Sequence, residues 1–65
     1  MRAWFFRDRL GQLFMSPHEP IKIEENILRG WYMDASFPII IVDAARYPDI
    51  TYNNSPQLIE INGEV

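Results

Sequence analysis

Short apolar runs separated by polar breaks organise this chain. The first, Ala3-Trp4-Phe5-Phe6, is rich in aromatics, which suit a pleated, half-buried surface. From Gln12 to Ser16, Leu13 and Met15 alternate with Gln12, Phe14 and Ser16. Between the two runs stands Asp8-Arg9-Leu10-Gly11. Aspartate favours the first position of a type I turn, and glycine supplies the left-handed residue that follows it. The pattern predicts a β-hairpin from Ala3 to Ser16, closed through a glycine bulge.

Pro17-His18-Glu19-Pro20 then forces an irregular step, because each proline removes a backbone donor and biases its predecessor away from the helical region. Ile21-Lys22-Ile23 alternates as a short strand, Glu24-Glu25-Asn26 reads as a polar turn, and Gly30 with Trp31-Tyr32 tips residues 27–33 toward strand. Ile39-Ile40-Ile41-Val42 is a run of β-branched residues and predicts a buried strand. Asp43 can cap one helical turn through Ala44-Ala45-Arg46, which Pro48 ends. Ile50-Thr51-Tyr52 predicts another short strand, Asn53-Asn54-Ser55-Pro56 a turn, and residues 57–61 a last strand before a fraying Asn62-Gly63 tail. The expected fold is mainly β: a small antiparallel sheet or half-barrel of four to six short strands with one helical turn. An α+β sheet packed on a short helix is the alternative.

Composition narrows what such a fold can do. Sixty-five residues fit a single small domain, residues 1–65. The chain has no cysteine, which excludes disulfides, thiolate metal sites and thiol nucleophiles. The net charge of -3 argues against a generic nucleic-acid or anionic-membrane binder. That acidity is uneven, since Arg46 is the only basic residue after Met33. The opening apolar run stops at Arg7, short of the roughly 7–15 apolar residues of a secretion signal. The run from Phe37 to Val42 falls far short of the ~20 residues that span a bilayer. A cytoplasmic protein is the expectation.

An aromatic start ending in Phe6-Arg7-Asp8, a turn closed by Gly11, Leu13-Phe14, then Tyr47-Pro48-Asp49-Ile50-Thr51-Tyr52 and Ser55-Pro56-Gln57-Leu58-Ile59-Glu60-Ile61 form a recognisable order. It resembles short uncharacterised proteins of gut Bacteroides-type bacteria and their phages or mobile elements. The resemblance covers both ends of the chain and leaves the middle, including residues 39–42, unmatched. It implies a cytoplasmic or phage-associated protein and brings no catalytic residue with it.

Candidate chemistry is sparse. His18-Glu19 could hold a metal or act as a base, but metal sites usually draw three or more ligands, and the chain has no other histidine. The acidic set Asp34, Asp43, Asp49, Glu60 and Glu64 admits paired-carboxylate chemistry or mimicry of a nucleic-acid backbone only if it clusters in space. Asn53-Asn54-Ser55 matches a glycosylation sequon and reads more simply as a polar turn. No catalytic residue, metal ligand or cofactor is assigned, and an enzyme is not expected.

Binding is the stronger expectation. Trp4, Phe5 and Phe6 cannot all point to one side of a strand, so part of this set must meet solvent, a second layer or a partner. Trp4, Phe5, Arg7, Trp31, Tyr32, Met33 and Phe37 are the interface candidates. A protein-interaction module, acting on a partner or on itself as a homo-oligomer, is therefore the first functional expectation. The alternative is a small β-barrel that stacks single-stranded nucleic acid on Trp4 and Phe5 and neutralises phosphates with Arg7 and Arg9.

Overall fold

The computed structural model describes residues 1–25, 29–34 and 36–61. Six strands follow in chain order: β1 (Arg2–Arg7), β2 (Leu13–Ser16), β3 (Ile21–Glu24), β4 (Arg29–Tyr32), β5 (Ile40–Val42) and β6 (Gln57–Glu60). One 3-10 turn, Ala44–Arg46, lies between β5 and β6. All pairings are antiparallel. The main sheet has the order β5-β2-β1-β6, and β3 and β4 form a separate hairpin. The fold is mainly β, as expected, and its two antiparallel sheets are open and not closed into a barrel.

The first hairpin forms for the reason its sequence suggests. The Asp8 carboxylate accepts from the backbone N–H of Leu10 (2.9 Å) and Gln12 (2.8 Å). Gly11 sits at φ +96° and donates its N–H to the Asp8 carbonyl. Asp8 N–H donates to the Gln12 carbonyl and closes the ladder. Asp43 caps the 3-10 turn by accepting from Ala45 N–H at 3.1 Å.

β1 runs through the middle of the main sheet and is covered on both faces. On one face Ala3 and Phe5 pack with Leu13 and Ile50, flanked by Met15, Val42, Ala44, Tyr47 and Ile59. The Tyr47 ring lies 4.9 Å from that of Phe5. On the other face Phe6 stacks on Phe14 (5.5 Å between centroids) and is met by Trp31 at 5.3 Å. Phe5 and Phe6 are 1% and 3% exposed, so adjacent aromatics are both buried, each under its own layer.

Three expectations are corrected. Ile50-Thr51-Tyr52 is not a strand. Thr51 N–H is taken by Asn54 Oδ1 (2.8 Å), Asn54 Nδ2 donates to the Asp49 carbonyl (2.8 Å), and Ser55 N–H donates to the Tyr52 carbonyl. Polar side chains so close to the backbone offer it turn bonds that outcompete β propensity. Ile50 is still buried, in the core, but from a loop. Glu24 belongs to β3, paired with Arg29, and not to the turn. Finally, residues 39–42 do not form a buried strand, since β5 is the outer strand of the sheet. The expected turn residue Asn26, residues 27 and 28 of the expected fourth strand, and the Asn62-Gly63 tail lie outside the described residues.

Candidate functional site at the free strand edge

The sequence candidates divide into residues the fold consumes and residues it leaves outside. Arg7 is consumed. Its guanidinium donates to the backbone carbonyls of Gly11 (2.8 Å), Ala44 (3.2 Å), Tyr47 (3.0 Å) and Ile50, tying the hairpin tip to the 44–50 loop. Phe5 lies in the core. Neither presents the stacking and phosphate-neutralising surface read from the sequence. Trp31 is consumed as well. Its Nε1–H donates to the Arg7 carbonyl at 2.9 Å, and its ring contacts Phe6 and Tyr52.

The reason for this Trp31 bond is visible in the ladder. The β1–β6 pairing runs from Arg2 opposite Glu60 to Phe5 opposite Gln57 and stops before Pro56, which follows a cis Ser55–Pro56 bond. Arg7 thus lacks a strand partner on that side. Ser55 Oγ accepts its N–H (3.1 Å) and the indole of Trp31 satisfies its carbonyl. Lys22, opposite Trp31, holds the same hairpin down from its other strand. Its Nζ donates to the carbonyls of Tyr52 (2.7 Å) and Asn53 (3.3 Å) and lies 4.6 Å from the centroid of the Tyr52 ring.

Of the remaining candidates, Trp4 is half-buried on the Phe6 face, paired with Ser16 and Leu58. Tyr32 is exposed opposite an equally exposed Ile21. Met33 follows β4 and lines an open depression with Phe6, Phe14, Trp31 and Ile39. Phe37 is half-buried and stacks on His18, with ring centroids 3.9 Å apart. The candidates do not form one patch. Among the described residues, no group of three or more His, Asp or Glu side chains is placed to hold a metal. Likewise, no helix among them is long and apolar enough to cross a membrane.

The largest apolar exposure along one strand and its approach, among the described residues, was not among the candidates. Ile39, Ile40 and Ile41 are 47%, 52% and 68% exposed. Among the described residues β5 pairs only with β2, Leu13 opposite Val42, Phe14 opposite Ile41 and Met15 opposite Ile40. The direction of its backbone groups follows from the hairpin. Antiparallel pairs alternate between hydrogen-bonded and non-bonded. The Asp8 N–H bond to Gln12 makes that pair bonded, so Phe6–Phe14 and Trp4–Ser16 are bonded too. Leu13 and Met15 therefore aim their backbone groups at β5, and Ile41 aims its N–H and C=O away from the sheet. Pro38 beside the run was the sequence signal for an edge, since proline is tolerated at strand starts and edges and not in sheet centres.

Comparison of the chain with protein-family models, curated proteins and solved structures gave no match.

Proposed function

We propose that this chain is a small protein-interaction module that receives an extended partner segment along the free edge of β5. The observation that carries the reading is the edge itself. Exposed Ile39 and Ile40 lead to an exposed Ile41 whose backbone N–H and C=O face outward. Natural sheets usually blunt such edges with lysine, a bulge or an inward-pointing charge, and a flat apolar edge is a template for strand addition. Ile40–Val42 carry no lysine or other charge, and the edge is limited only by its brevity, three residues, and by Pro38 beside it.

Main-chain bonds would give affinity, and side-chain alternation would give preference. Ile40 and Val42 look to the Phe5 face and Ile41 to the Phe6 face, so a β-branched or aromatic partner strand suits both sides. The role is one of binding and not of catalysis. A cytoplasmic setting is in keeping with a chain that contains no cysteine. An origin in a phage or mobile element is the setting to which the sequence resemblance points.

The reading is tested by selecting a displayed random-peptide library on the immobilised protein, with counter-selection on Ile41→Pro. That variant removes the outward N–H and keeps the inward ladder to β2. Enrichment of extended apolar sequences specific to the wild-type edge supports the proposal, and a library that never distinguishes the two proteins overturns it.

A further inference from the structure

We infer that the occupant of the β5 edge is a second copy of the same strand, paired antiparallel about a two-fold axis through Ile41. This rests on the proposed edge-binding role and names its partner. Only Ile41 in β5 faces outward with both backbone groups, so opposing it with itself makes one bonded pair in which each copy donates and accepts. The flanking residues then match. Ile40 of each copy lies opposite Val42 of the other on the Phe5 face, and Ile41 meets Ile41 on the Phe6 face.

Charge allows this register. Residues 37–42 carry no charged side chain, and Asp43 of one copy falls opposite Ile39 of the other, so no like charges oppose. The ladder is also short by construction. The Asp43 carbonyl is already taken by Arg46 N–H, and its carboxylate by Ala45 N–H.

The other free edge fits less well. β6 ends in Glu60, which faces Arg2 at 3.7 Å and the N-terminal amine at 3.9 Å, leaving charges on that border. Joining β5 of one molecule to β6 of the next would be heterologous and would grow an open chain, whereas β5 on β5 closes at two. A strand this short buries less than the roughly 800 Å² per partner of a standard interface, so the dimer is weak and concentration-dependent.

Sedimentation equilibrium from about 10 µM to about 1 mM tests the inference. The mass should climb from 7.7 kDa toward twice that value. Ile41→Pro, Ile41→Lys and Ile41→Glu should each stay at the single-chain mass, the last two because like charges would meet on the axis. An equimolar mixture of the Lys and Glu variants should associate again. A wild-type mass that stays single, or one that grows past the dimer, overturns the inference. So does undiminished association of the three variants, and a mixture that fails to associate overturns the placement of Ile41 on the axis. If the wild type is monomeric while the peptide selection succeeds, only self-pairing fails and the edge-binding role stands.

Discussion

Two apolar runs of this chain look alike in sequence and meet opposite fates. Trp4-Phe5-Phe6 becomes the middle of β1, covered on one face by Tyr47 and Ile50 and on the other by Trp31. Ile39-Ile40-Ile41-Val42 leads into and forms β5, bound on one side only and about half exposed. The difference is one of neighbours and not of hydrophobicity. β1 has a strand on each side and substitutes, Ser55 Oγ and the Trp31 indole, where its second strand ends. β5 has only β2. A centre so fully satisfied beside an edge so open locates the stability of this molecule in one place and its binding capacity in another.

The sharpest way to break this contrast is at the centre. Phe5→Ala should cost about 3–5 kcal/mol, which matches the whole stability of roughly 3–5 kcal/mol expected for so small a core. The variant should be largely unfolded by circular dichroism at 25 °C, and a cooperative melt close to the wild type would show that β1 is not the core strand. Arg7→Lys should lose about 2–3 kcal/mol in urea unfolding, because a lysine ammonium cannot reproduce a planar fork that serves four carbonyls. Full retention of stability by lysine would reduce Arg7 to a surface charge. Trp31→Phe keeps a ring against Phe6 and removes the donor to the Arg7 carbonyl, so a loss of about 1–2 kcal/mol is expected in the same assay. No loss would mean that water replaces the indole.

At the edge the expected effect is far smaller. Ile41→Thr, measured on dilute monomer, should change stability by no more than about 0.5 kcal/mol. A loss of 2 kcal/mol or more would place Ile41 in a core and remove the contrast. Smallest is a surface titration beyond the two runs. Asp34 accepts from the Ser36 backbone N–H (2.9 Å) and hydroxyl (2.8 Å), which holds its carboxyl below the ordinary aspartate value. The charged form is the one stabilised, so this contribution is present above the ordinary pKa and fades as pH falls through the lowered one. An NMR titration of Asp34 should have its midpoint raised by Ser36→Ala, which removes the hydroxyl and keeps the backbone donor, and an unchanged midpoint would leave the backbone bond alone as the cause.

Local chemistry was legible at the first hairpin and at the helical cap. The hairpin turn could be read from Asp8 and Gly11 because both act within four residues of chain, and the cap could be read from Asp43 for the same reason. Ile50-Thr51-Tyr52 misled because its β propensity is real and is overruled by Asn54 and Ser55, whose side chains bond the backbone first. The interface candidates misled in a different way. Arg7 and Trp31 are chemically able to bind a partner, and nothing in a linear pattern shows that the carbonyls of Ile50 and Tyr47 already occupy the Arg7 guanidinium, or that the Arg7 carbonyl already occupies the Trp31 indole.

The sequence by itself determined the class of fold, the first hairpin and the adjacent aromatics that no single layer could bury. Each follows from turn chemistry, or from the alternation of side chains along a strand, within a few residues. Only the tertiary structure decided that β1 would be central and β5 peripheral. Strand order is set by which long-range pairings close together, and equal hydrophobicity in two runs cannot rank them. The same choice turned Arg7 and Trp31 inward and left Ile41 with a backbone donor and acceptor facing out.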